Sequence, residues 1–360
     1  VRGGAGEIGN DVIAALALLI GGDGSDGIKA LAELDRVLFD SGSGLYREAV
    51  GKSEPAFNWS VGIVLSALNA AARRDQRFRE PLRRYAERTR VYWNPLPPVP
   101  GYDVLPAPKP VDRYYDDNAW MVLALVETYE ILRDRKYLNW AQETVAYCLS
   151  GESDAMGGGI YWRESDRGAT KNTCSNGPVA AALLALHRVE RRQEYLDAAK
   201  RLYDWTRRTL QDPDDGLMWD AIRRDGSIDR TKWSYNTALM ITSAVELARA
   251  TGETSYRHQA RRMLDASRAR WLDPNTGAMK DEGQFAHLLL ESWNVAAKAG
   301  IVTRASHERD ISAALGYMVS TVRRADGIYG KRWDGPTPAE FIPTSMHQAS
   351  AARVLLLFGR

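Results

Sequence analysis

Apolar positions along the chain fall into two alternating kinds of segment. One kind begins near Asn58, Asp116, Ser175, Tyr235, Gln284 and Ser345, and is rich in Ala and Leu and poor in charge. A helix that is apolar nearly all round has to be buried on most of its sides. The other kind is amphipathic and heavy in Arg and Glu. It carries an aromatic residue near its start at Phe78, Tyr137, Tyr195 and Tyr256, about 60 residues apart, and Ile28 and His307 extend the series at its two ends. These segments suit an outer layer. Gly44, Gly101, Gly159, Gly216, Gly277 and Gly327 follow the amphipathic segments at similar intervals, where glycine suits the tight loops that close each unit.

A fixed internal period dictates architecture more firmly than local propensity does. Six outer and six inner helices in alternation predict an all-α fold, an (α/α)6 barrel of six helical hairpins, each burying its apolar face only against its neighbours. An open superhelix of hairpins has the same periodicity and stays open as the alternative. One domain is expected over residues 1–360, because no linker interrupts the repeat. The Pro-rich stretch from Pro95 to Pro110 reads as a long loop within the second unit. The apolar run from Ile8 to Ile20 is too short to span a bilayer, carries Asp11, and lacks a strongly basic flank followed by a small-residue cleavage site. It reads as a helix of the mature protein, so the chain is expected to hold no signal peptide.

Composition narrows the function classes. With 44% hydrophobic and 26% charged residues the chain has the material for a large core, which excludes disorder. Lys plus Arg number 48 against 46 Asp plus Glu, so the balance gives no reason to expect nucleic acid as a partner. The densest basic run, Arg83, Arg84, Arg88 and Arg90, is mixed with Glu80 and Glu87 and reads as a solvated helix face. Cys148 and Cys174 match neither a zinc site nor a CxxC pair and are expected to be free. The five histidines show no HExxH, and Asp212 to Gly216 (DPDDG) lacks the later ligands of a calcium loop. Neither P-loop, dinucleotide fingerprint nor GxSxG elbow occurs, so no metal, no cofactor and no membrane partner is expected.

In such a barrel the N-termini of the inner helices open on one face, and residues at those starts converge on a cavity. Polar and aromatic side chains gather there: Trp59, Tyr115, Asn118, Phe285 and His347, with Trp162 and Trp219 from the connecting loops. Flat aromatic faces stack on pyranose rings while amides hydrogen-bond hydroxyls, so a sugar-binding groove is expected. The competing reading is that each aromatic plugs the end of the barrel core and that His347 is a satisfied core histidine. Asp116 and Asp117 are the sharpest feature. A carboxylate at a helix start commonly caps it, but two adjacent acids exceed what a cap requires. Glycoside cleavage needs two carboxyl groups, about 5 to 5.5 Å apart in retaining enzymes and roughly 6.5 to 9.5 Å in inverting ones. Adjacent residues can reach the shorter separation, which favours retention.

YYDDNAW running into MVLALVETYEI resembles the signature of glycoside hydrolase family 76, the endo-α-1,6-mannanases. The resemblance continues through GGGIYWRE, KNTCSNGPVAAALLAL and KWSYNTAL, over at least Asp112 to Ala250. It implies an (α/α)6 barrel that cleaves α-1,6-mannosidic bonds with retention, with Asp116 as nucleophile and Asp117 as general acid/base. It also implies that Asn176, Tyr235 and Asn236 lie near the groove, with α-mannan polysaccharide or oligosaccharide as partner. A monomer that is secreted, periplasmic or on the cell surface is expected. Cys174 stands where the pattern expects a small residue. Alternatives on the same fold are a transglycosidase, a non-catalytic glycan-binding protein, and a sugar epimerase, which would rely on a histidine pair such as His347 and His287.

Overall fold

The computed structural model describes residues 25–106 and 111–359; the helix expected over residues 8–20 and the end of the loop expected over 95–110 lie outside them. The inner helices are α2 (Asn58–Arg74), α4 (Tyr115–Leu132), α6 (Thr173–Glu190), α8 (Ser234–Thr251), α10 (Gly283–Lys298) and α12 (Ser345–Phe358). Their outer partners are α1 (Asp26–Leu38), α3 (Arg79–Arg88), α5 (Arg135–Leu149), α7 (Gln193–Leu210), α9 (Thr254–Trp271) and α11 (Arg304–Tyr317). Each inner helix packs on the next, and α12 returns to pack on α2. The ring therefore closes, and the fold is an (α/α)6 barrel rather than an open superhelix.

The inner helices are buried around nearly their whole circumference, as in α6, where all residues from Thr173 to Leu186 are buried. Turns from inner to outer helices are abrupt. Arg133 and Arg191 end α4 and α6 in the left-handed conformation with φ of 59°, and Gly252 does the same for α8 with φ of 76°. Connections from outer to inner helices are long and carry short antiparallel strands: β1 (Phe39–Asp40) with β2 (Leu45–Tyr46), β3 (Trp93–Asn94) with β4 (Gly101–Tyr102), and β8 (Met279–Glu282) with β9 (Arg332–Trp333). A three-stranded sheet joins β5 (Thr170–Asn172), β6 (Ala221–Arg223) and β7 (Ile228–Asp229). All these strands cluster at the end where the inner helices start.

Two polar features lock the ring. At the seam between the first and last inner helices, the Ser345 amide donates to the Glu48 carbonyl (3.1 Å) and the Val50 amide to the Pro343 carbonyl (3.0 Å). Nearer the far end of the inner helices, the buried Arg353 guanidinium bonds Glu127 (2.8 Å), both oxygens of Glu291 (3.0 and 2.9 Å) and the Ser66 carbonyl (2.6 Å). This joins α12 to α4, α10 and α2.

Five of the six glycines singled out by spacing adopt positive φ, but Gly101 sits in β4 for another reason: a Cβ there would lie 2.7 Å from the Tyr147 ring. Gly277 combines both constraints, with φ of 85° and a virtual Cβ 2.4 Å from the Ala313 carbonyl oxygen, whereas Gly226 has φ of 83° and open space around it. Gly226→Ala should therefore cost about 1 kcal/mol, the conformational term alone. Gly277→Ala should cost about 2–4 kcal/mol in urea denaturation, because the α11 backbone must also move.

Candidate active site

Asp116 and Asp117 occupy the first turn of α4, whose N-cap, Tyr114, makes no side-chain cap bond. Asp116 Oδ2 accepts a hydrogen bond from the Trp162 indole N–H (3.0 Å), while Oδ1 is buried without a hydrogen-bond partner. Trp162 reaches the carboxylate because its own backbone is pinned. Its carbonyl accepts from the Tyr115 amide (3.0 Å), and its amide donates to the Thr170 carbonyl (3.3 Å). Trp162 as a whole remains 42% exposed.

The two carboxyls differ in environment. Burial pushes Asp116 up to about 6, opposed by the indole N–H, by the first-turn amides and by the nearby Cys174 thiol. Burial raises Asp117 well above the carboxylate range, and the charges of Asp116, Asp112 and Glu48 raise it further. Two such groups titrate as a coupled pair, and the one with hydrogen-bond donors is the one that ionises first. The donors therefore favour the charge on Asp116 and the proton on Asp117.

Glu48 and Asp112 were not anticipated. Glu48 lies between β2 and α2, with its carboxylate on the Phe57 amide (2.9 Å) and the Ser60 hydroxyl (3.2 Å) at the start of α2. Asp112 pairs with Arg163 at 2.7 Å. Both belong to loops, and only the path of those loops brings them to bear on Asp117.

Beside the acids lies an aromatic floor. Tyr235 and Phe285 stack at 4.4 Å, Trp59 stacks on both at 6.2 and 5.9 Å, and Trp233 tilts against Phe285 at 5.3 Å. Burial raises the Tyr235 phenol, and Cys174, Asp220 and Asp116 lie close enough to raise it further. Around the inner-helix starts, Asn58, Ser175 Oγ, Ser234 Oγ, Gln284 Oε1 and Trp59 Nε1 are buried without a protein partner. The lumen beneath, lined by Trp59, Trp120 and Leu288, runs down to the Arg353 hub.

Several expected ligand-binding residues have other work. Asn118 is fully buried; its Oδ1 accepts from the Tyr102 amide (2.7 Å) and its Nδ2 donates to the Tyr102 and Tyr114 carbonyls (2.9 and 2.8 Å). Asn176 grips Ile160 and Asn172 in the same way. Both are carboxamide clamps that fasten a connecting loop to an inner helix, with little hydrogen-bonding capacity left for a sugar. Tyr115 is also buried, stacked on Tyr147 at 5.0 Å with its hydroxyl bonded by Arg167. Trp219 holds Asp212 through its indole N–H (3.2 Å) and carries Arg230 over its ring. Asn236 donates to Asp220 (3.1 Å). His347 bonds Thr344, keeps Nε2 unpartnered, and is pushed down to about 4 by burial. Trp59, Trp162, Tyr235 and Phe285 are the predicted residues that meet in the acidic and aromatic cluster.

Cys148 and Cys174 are free and buried, and among the described residues no group of His, Cys, Asp or Glu is arranged to hold a metal. Asp212 and Asp215 instead hold Lys232 at 2.6 and 2.7 Å. Among the described residues no helix is long and apolar enough to cross a membrane.

The barrel is shared with solved glycoside hydrolases. A GH76 alpha-mannanase from Bacteroides thetaiotaomicron superposes with a TM-score of 0.89 and 30% identity, covering 93% of this chain and 94% of that one. The GH76A alpha-1,6-mannanase of Salegentibacter sp. HEL1_6, as an inactive variant with alpha-1,6-mannotriose, has the same fold at a TM-score of 0.80 and 23% identity, over 93% of this chain and 98% of that one. The profile of glycosyl hydrolase family 76 matches residues 41–308, and the chain belongs to that family. Among curated proteins it is similar to the mannan endo-1,6-alpha-mannosidase DCW1 of Candida glabrata, 27% identical over 189 residues, which is 46% of this chain and 41% of that protein. The chain thus spans less than half the length of that relative.

Carbon-13 NMR of the aspartate carboxyls should show Asp116 and Asp117 titrating in two steps, both above the ordinary range near 4. Trp162→Phe should raise the lower step by about one unit, since a donor to a charged acceptor contributes at least about 1.5 kcal/mol. A lower step unmoved by the substitution would contradict the assignment of Asp116 as the anion.

Proposed function

We propose that the chain is a retaining endo-acting glycoside hydrolase that cleaves α-1,6-mannosidic linkages in mannan, with Asp116 as nucleophile and Asp117 as general acid/base. The observation that carries this reading is the asymmetry of the pair: one carboxyl with an indole donor, one pushed up by burial and three neighbouring acids. The relatives support the substrate. One is named a mannan endo-1,6-alpha-mannosidase, and another is inactive with two consecutive aspartates replaced by asparagine and is described in complex with alpha-1,6-mannotriose.

In the first step Asp116 attacks the anomeric carbon, while Asp117 gives its proton to the glycosidic oxygen as that bond breaks. The ester formed at Asp116 removes its negative charge. Asp117, no longer facing that anion, falls in pKa and becomes the base that takes a proton from water. Water then attacks the same carbon, releases Asp116 and leaves the anomeric configuration unchanged. Trp162 and the aromatic floor would receive the sugar faces. The exposed Phe57 and Val50 beside Glu48 suit a polymer lying across the mouth. In this reading residues 1–360 act as one catalytic domain, as a monomer without cofactor, outside the cytoplasm.

Linear α-1,6-mannan incubated with the protein should yield oligosaccharides whose first-formed reducing ends are α in proton NMR; β ends at early times would overturn retention. Asp116→Asn and Asp117→Asn should each lower kcat by about 10³-fold or more. Thermal unfolding separates chemistry from folding. Both native pKa values are raised, so stability is lost as pH rises through them. Each Asn variant should melt above the unsubstituted protein at pH 8, with the gap closing toward pH 4.

A further inference from the structure

Lys171, in β5, is wholly buried, and no described carboxylate forms an ion pair with it. Its ammonium donates to the carbonyls of Ser153, Ala155 and Gly158, each at 2.7 Å, and to the Ser153 hydroxyl at 3.0 Å. It also sits 4.6 Å from the Tyr161 ring centroid and 5.9 Å from that of Trp205. Three protons radiating from one atom can gather converging carbonyls in a way no planar or neutral side chain can. All four acceptors lie in the segment 153–158, which Lys171 draws against Trp205. At Gly159 a Cβ would meet that indole at 2.5 Å. The segment leads directly into Trp162, the indole on Asp116.

We propose that Lys171 is a positioning residue for the nucleophile, holding the 153–158 loop so that the Trp162 N–H stays on Asp116. This rests on the reading of Asp116 given above. Glu152 and Asp154 are the charged groups facing the ammonium. Glu152 is engaged by Arg201 at 2.7 Å, and from α7 the facing group is Trp205. Burial lowers the Lys171 pKa to about 8.

The test is a double-variant cycle on an α-1,6-mannan oligosaccharide with Lys171→Met, Trp162→Phe and the pair. Lys171→Met should lower kcat/KM 10- to 100-fold and move the acid limb of its pH profile upward, as Trp162→Phe does. The pair should be no worse than the more damaged single variant. A lower melting temperature with an unmoved acid limb, or losses that multiply, would overturn the proposal. Should Lys171→Met not fold, amide hydrogen exchange of the unsubstituted protein provides the reading. Protection over residues 153–162, corrected for intrinsic exchange, should fall relative to β6 as pH passes through about 8; equal protection would overturn it. If Asp116→Asn retained activity, the catalytic reading would fail on its own, while exchange would still report the hold of Lys171 on the loop.

Discussion

Six helices without a polar face impose the constraint on which everything else depends. Such helices are stable only when surrounded, and a closed ring inside a second ring achieves this without a second domain. Closure turns all six N-termini to one end and forces the connections there to be long, because each must cross from the outer layer to the inner one. The mouth is consequently made of loops on a rigid frame. The α12 arginine that ties α2, α4 and α10 together keeps that frame from shearing at its other end.

The same closure decides the electrostatics of the acids. Helix N-termini favour anions, but by roughly 0.3–1 kcal/mol, whereas removing a carboxylate from water costs several kcal/mol. Desolvation wins, and both carboxyls rise. What separates them is chiefly the indole N–H on Asp116, helped by the first-turn amides and the Cys174 thiol, against the charges of Asp112 and Glu48 on Asp117. Much of the difference between the acids thus comes from the loops around the start of α4, the one before α6 above all. The clamps at Asn118 and Asn176 and the cage around Lys171 all act on those loops.

The barrel was legible in the sequence because all-round burial leaves a compositional trace, and hairpins of constant length repeat it. The inner helices begin within two residues of the expected positions. Asp116 and Asp117 stood out because a pair exceeds the needs of a cap. Asn118 was misread because an amide beside a carboxylate looks the same whether it faces a sugar or the backbone of Tyr102; spacing fixes a helix face, not a hydrogen-bond partner. Glu48 and Asp112 left no signal, since their nearness to Asp117 depends on loop paths that no local pattern encodes. Gly101 was right in position and wrong in cause, packing against Tyr147 where a turn was expected.

The seam carries a consequence for how the molecule comes into being. Ser345 bonds back to residues 47 and 48, almost 300 positions earlier, so the ring acquires its last wall only when α12 has left the ribosome. Until then α2 and α10 each present an apolar flank with nothing to cover it. Contacts of such sequence separation form late and slowly. Burial of those two flanks therefore waits on the docking of α12, a contact between the two ends of the described chain.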